Sequence, residues 1–218
     1  MKALLVAILL ISSSAKAVDF ELSLGQTTYD KSENGQWYQE GLDYKFHLQT
    51  NSIGLSVTDY LTDDIRWRVG YINLGEMSSN ALATYDNNYN GSNGCVGNCV
   101  AMDVYIGKGN VEGIYLTIAP EMKIGKTKIF VEPGVWGYIP HFNLVRYDTS
   151  TGGASTYKGD DLTTDTHMQF GLVLGFGIEY DNLQLVVASY GTQVSNVVGN
   201  TVPNWGDRTT NISLRKRF

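Results

Sequence analysis

Phe170-Gly171-Leu172-Val173-Leu174-Gly175-Phe176-Gly177-Ile178-Glu179-Tyr180-Asp181-Asn182-Leu183-Gln184-Leu185-Val186-Val187 is the stretch that decides the fold. Phe170, Leu172, Leu174, Phe176, Ile178 and Tyr180 recur at every second position, and Leu183, Leu185 and Val187 resume the period after Asp181-Asn182. Successive side chains of an extended strand point to opposite faces, so this period predicts two strands, joined by a tight turn. The intervening positions carry Gly171, Gly175, Gly177 and Glu179, so one face is apolar and the other small or polar.

The same pattern recurs at Phe20, Leu22, Leu24; at Ile53, Leu55, Val57; at Ile65, Trp67, Val69, Tyr71; and at Ile114, Leu116, Ile118. It continues at Ile129, Val131, Pro133, Val135 and ends at Ile212, Leu214, Phe218, which makes eight strands in all. Composition agrees: among 218 residues there are 24 Gly and 14 Tyr, and only 17% of the chain is charged, which excludes an acidic disordered tail and a helical bundle. A formal net charge of -6 disfavours nucleic acid as a partner.

Residues 1–17 read differently. Lys2 opens them, Ala3 to Ile11 form a short apolar core, and Ala15-Lys16-Ala17 has the small-x-small pattern of a cleavage site. A cleaved signal peptide over 1–17 and a mature domain over 18–218 follow as the expected organisation. An apolar run of that length is too short to span a hydrocarbon core of about 30 Å as a helix.

Connection lengths separate a membrane barrel from a soluble sandwich, whose strands also alternate. Leu61-Thr62-Asp63-Asp64, Ile124-Gly125-Lys126 and Asp181-Asn182 are short, whereas the stretches near 30–44, 76–110, 146–165 and 195–207 are long and polar. Short and long alternate strictly. That predicts an all-β, transmembrane, antiparallel up-and-down β-barrel of eight strands, with short periplasmic turns at one rim and long extracellular loops at the other. Strands of about 10 to 13 residues tilted about 45° have the length such a membrane requires.

The chain ends Asn211-Ile212-Ser213-Leu214-Arg215-Lys216-Arg217-Phe218, an alternating strand closed by an aromatic residue. This resembles the last strand of bacterial outer-membrane proteins. With the leader and the loop pattern, residues 18–218 are similar to the eight-stranded OmpA/OmpX-type barrels. The resemblance implies that Phe218 belongs to the signal read by the barrel-assembly machinery. It also implies a Gram-negative outer-membrane location, contact with lipid and lipopolysaccharide, and loops used for adhesion or envelope integrity. Lys216 falls on the outward parity and departs from the pattern; a rim position lets it snorkel.

Eight strands enclose a lumen that side chains fill. The inward parity collects Arg66, Arg68, Glu121, Lys128, Glu132, Glu179, Arg215 and Arg217, together with Glu21, and an internal ion-pair network is expected among them. Its alternatives in function are a satisfied polar core and a narrow path for ions or small solutes. Phe20, Tyr60, Trp67 and Tyr180 near the short turns, and Tyr29, Tyr71, Tyr138 and Phe142 near the long loops, are expected as two interfacial girdles. Trp136 and Tyr138 share the parity of Glu132, so filling the upper lumen is the alternative for them.

The second long loop carries Cys95-Val96-Gly97-Asn98-Cys99. Passage through an oxidising periplasm predicts a small Cys95–Cys99 disulfide; a metal site is the alternative, without a neighbouring histidine to support it. Loops one and three hold Asp30, Glu33, Glu40, Asp43, Asp148, Asp160, Asp161 and Asp165, an acidic rim that either binds divalent cations shared with lipopolysaccharide phosphates or keeps the loops solvated. His47, His141 and His167 are the candidate bases of a lipid-modifying enzyme, but no G-x-S-x-G motif accompanies them. The expectation is a monomeric, non-enzymatic surface barrel without a cofactor, with a lipid-modifying barrel and a narrow pore as the alternatives.

Overall fold

The computed structural model describes residues 18–31, 43–85, 101–150, 156–163, 167–192 and 205–218. The strands are β1 (Asp19–Lys31), β2 (Asp43–His47), β3 (Gln49–Thr62), β4 (Ile65–Tyr85), β5 (Ala101–Ile124), β6 (Thr127–Ser150), β7 (Thr156–Thr163), β8 (Gln169–Tyr180), β9 (Leu183–Gly191) and β10 (Trp205–Arg217). Eight of them close a ring in the order β1-β10-β9-β8-β6-β5-β4-β3 and back to β1, and every pairing is antiparallel. Closure gives each barrel strand two neighbours and leaves no open edge, the condition for a sheet facing hydrocarbon.

Two of the short turns show why their residues were selected. Asp181 and Asn182 both adopt positive φ, 47° and 64°, as a two-residue hairpin of the I′ kind demands, and Asp and Asn tolerate that conformation. Gly125 has φ 63° in the turn between β5 and β6.

The strands outrun the sequence reading. β5 and β6 each run 24 residues and β4 runs 21, so much of the stretch read as a loop over 76–110 is a paired hairpin extending past the apolar belt. β2 pairs with β4, and β7 with β6, on this extension. Backbone pairing continues there while the apolar alternation is interrupted, on β4 after Tyr71 and on β5 by Lys108, Asn110 and Glu112, before Met102, Val104 and Ile106.

A bulge bends β4 at the base of this extension. The β4–β5 register shifts between Asn73 and Glu76, with Gly75 at φ 88°. The Asn73 side chain accepts a hydrogen bond from the Gly75 amide at 2.8 Å, and the Gly75 carbonyl accepts one from the Tyr29 hydroxyl at 2.8 Å. A Cβ at Gly75 would meet the Asn51 carbonyl oxygen and the Thr50 side chain. Gly75→Ala is therefore expected to lower unfolding stability in detergent or vesicles by at least about 1–2 kcal/mol, read from urea titration of the folded fraction.

Candidate functional site

Alternation sorts the barrel into two surfaces of opposite character. Outside, Phe20, Leu24, Ile53, Leu55, Leu116, Phe170, Leu172, Phe176, Leu185 and Leu214 are exposed, a continuous apolar surface far larger than a water-soluble monomer presents. Inside, Glu21, Arg66, Arg68, Glu121, Glu132, Glu179, Arg215 and Arg217 are buried, and Lys128 is partly buried with them.

These charges meet in the half of the lumen nearer the short turns. Arg66 contacts Glu121 at 2.5 Å, Glu179 at 2.8 Å and Glu21 at 3.7 Å. Arg68 lies 2.5 Å from both Glu21 and Glu132, and Arg215 reaches the other oxygen of Glu132 at 2.7 Å. Arg217 bridges Glu179 at 2.8 Å and Asp19 at 3.6 Å, while Lys128 lies 3.3 Å from Glu179 and 3.7 Å from Glu121.

Neutral groups complete the network. Gln184 donates to Glu21 at 2.9 Å and to Glu179 at 3.0 Å, and accepts from Arg68 at 3.1 Å. Tyr60 donates to Glu121 at 3.0 Å and accepts from Arg66 and Lys128, each at 2.7 Å. Ser56 donates to Glu21 at 3.1 Å and Thr117 to Glu132 at 2.7 Å. All eight strands of the ring thus contribute a member, so the network cross-links the cylinder through its centre.

Sequence reasoning named the charged members except Asp19 and omitted Gln184, Ser56 and Thr117. Parity would have found Gln184, which sits between outward Leu183 and Leu185. It also corrects the girdles for Tyr29, which is 1% exposed, and for Tyr60, whose hydroxyl points into the network, and Tyr138, also 1% exposed, takes its alternative place in the upper lumen beside Trp136. All three sit on the inward parity of their strands, and proximity to a strand end does not override a two-residue period. Phe20, Tyr71 and Tyr180 are exposed on the outer face. The side chain of Phe142 lies outside the described residues.

Above the charged layer the lumen is aromatic. Trp136 stacks on Tyr138 with ring centroids 4.5 Å apart, meets Tyr190 edge-on at 5.0 Å, and donates its indole N–H to the Gly191 carbonyl at 2.9 Å. Glycines on neighbouring strands make room. A Cβ at Gly171 would meet the Trp136 indole, and one at Gly70 the Tyr115 ring. The charged layer below and the aromatic layer above both project into the bore.

His47 and His167 are exposed near the long-loop rim. His141 sits 3.5 Å from Glu112, which also accepts from Tyr71 at 2.5 Å and from Asn73 at 3.1 Å. Cys95, Cys99, Glu33, Glu40 and Asp165 lie outside the described residues, as do the side chains of Asp43, Asp148, Asp160 and Asp161. Among the described residues no group of three or more His, Cys, Asp or Glu is placed to hold a metal ion.

No family model matches the chain, and no curated protein matches it. Solved structures similar to it include the outer membrane protein OprG from Pseudomonas aeruginosa, 13% identical, covering 93% of this chain and 97% of that one with a TM-score of 0.46. Neisserial surface protein A is 12% identical over 92% of this chain and 95% of that one, at a TM-score of 0.41. Ail, the attachment invasion locus protein of Yersinia pestis, is 12% identical over 93% and 100%, at 0.37. The strand ring itself carries the classification: the chain is a closed eight-stranded antiparallel β-barrel, with charged and aromatic layers in its lumen and an apolar exterior.

Proposed function

We propose that the chain is a non-enzymatic barrel of the Gram-negative outer membrane that presents its long extracellular loops for surface contact, in adhesion or in envelope integrity. The observation that carries this reading is the division of chemistry between surfaces. The outer face is matched to lipid, and the bore is occupied by ion pairs and stacked rings. The loops are the part left to meet other molecules. Export by cleavage after Ala17, assembly through Phe218, a Cys95–Cys99 disulfide and contact with lipopolysaccharide belong to the same proposal, as does a monomeric state.

Two measurements on the full-length chain test it. Whole cells carrying a deletion of residues 86–100 are expected to lose tethering to host-cell or matrix surfaces that the native chain binds, with the barrel still present at the surface. The native barrel in planar bilayers is expected to give no steady conductance. Unchanged tethering removes the adhesive role from that loop. Loss of a lipid-modifying activity in His141→Ala, read by mass spectrometry of membrane lipids, would replace the proposal with the enzymatic alternative.

A further inference from the structure

The apolar belt is not equally tall around the barrel. Every second residue from Met168, which immediately precedes β8, to Tyr180 at its end is large, apolar and exposed. On β1 the outward apolar run is only Phe20 to Leu24, and on β9 only Leu183 to Val187. On β10, exposed Lys216 interrupts a run that stops at Ile212.

The register fixes the heights. Followed through β10, β9, β8 and β6, the partner of Leu24 on β5 is Met122; followed through β3 and β4 it is Glu112, ten residues away. A stagger of that size in eight strands corresponds to a tilt of about 40°. Each residue then climbs about 2.5 Å towards the long-loop rim, and each step in the direction β1 to β10 to β9 drops about 3 Å. On this scale the three short turns fall within about 4 Å of one plane. The belt on β8 is about 30 Å tall and those on β1 and β9 about 10 Å.

The missing height lies towards the long-loop rim. Gln26 and Thr28 on β1, Asn51 on β3, Ser189 on β9, and Thr210 and Arg208 on β10 all occupy outward positions. They stand at about the heights of Leu172 and Phe170 on β8, the strand that borders this sector at β9. A tilted barrel would raise the lower edge of the belt as well, but that edge stays level from Phe20 through Phe218 and Leu183 to Tyr180.

We infer that the β9-β10-β1-β3 wall thins the outer leaflet, drawing phosphate- and hydroxyl-bearing lipid headgroups down against Gln26, Thr28, Asn51, Thr210 and Arg208. Amides, hydroxyls and one guanidinium hydrogen-bond such groups. A bilayer yields locally to a short apolar stretch at modest cost. A second copy of the chain is a poorer occupant, because a protein interface needs a buried apolar centre and this sector offers no large apolar side chain among the described residues.

The inference rests on the membrane reading proposed above, and one experiment separates the two. Nitroxides are placed at Thr28→Cys, Thr210→Cys and Phe170→Cys in full-length chain carrying Cys95→Ser and Cys99→Ser, reconstituted in phosphatidylethanolamine/phosphatidylglycerol vesicles. Collision with oxygen and with a water-soluble nickel chelate reads depth; Gln26→Cys replaces Thr28→Cys if that variant does not fold. The Phe170 label is expected in hydrocarbon, with the Thr28 and Thr210 labels at headgroup depth, at least about 5 Å shallower. Thr28 and Thr210 labels as deep as Phe170, or shielded from both reagents, overturn the inference while the membrane reading stands. A Phe170 label in water overturns both.

Discussion

Glu132→Ala is expected to destabilise the folded barrel by about 3–5 kcal/mol, the largest effect of any single charge removal in the lumen. Glu132 is 1% exposed and sits between two guanidiniums, Arg68 at 2.5 Å and Arg215 at 2.7 Å, with Thr117 donating at 2.7 Å. A buried ion pair need not stabilise a fold relative to an apolar core, because desolvating both partners costs about what their attraction returns. Removing one partner is different: Arg68 keeps Glu21, but Arg215 stays buried beside it without the carboxylate it pairs with among the described residues. Urea titration in vesicles measures the loss. Glu132→Gln keeps the shape and a hydrogen-bond acceptor, so it separates charge from packing and is expected to lose nearly as much. A loss under about 1 kcal/mol for either variant would mean that water, not Glu132, compensates Arg68 and Arg215.

Trp136→Ala is expected to cost a similar amount, about 3–5 kcal/mol, for a different reason. Its ring is 1% exposed, stacked on Tyr138 and edge-on to Tyr190, and fixed by the indole bond to Gly191. Truncation leaves a cavity that a closed cylinder cannot collapse to fill, since every wall strand is held by two neighbours. Trp136→Phe restores most of the volume and loses chiefly the hydrogen bond, at about 1 kcal/mol. Thermal melts of the pair, followed by near-ultraviolet circular dichroism, distinguish the two contributions. Equal losses from both variants would assign Trp136 a polar rather than a packing role.

The residues that face lipid were the most legible part of the chain. Leu172, Phe176 and Leu185 must alternate with small or polar partners when the two sides of one wall meet opposite solvents, and that constraint is written at every second position. The same parity placed Arg66, Glu132 and Arg215 on the inner side. Who pairs with whom was not legible, because Arg66 meets Glu179 across 113 positions of sequence through the register of a closed sheet. Tyr29 and Tyr60 were misplaced because position along a strand was weighed above side of the strand, whereas parity had already offered the upper lumen for Trp136 and Tyr138. The paired extensions over 76–85 and 101–110 were read as loop because the first carries no apolar alternation and, in the second, Lys108 and Asn110 separate Met102, Val104 and Ile106 from the run that starts at Ile114.

The central claim is that the outer surface is built for hydrocarbon, and the most direct test is the behaviour of residues 18–218 when denaturant is diluted away. The chain is expected to recover sheet circular dichroism only when detergent or vesicles are present, and then to float with the vesicles and resist protease across the belt. A water-dispersed monomer that keeps its sheet without lipid and does not associate with vesicles would contradict it.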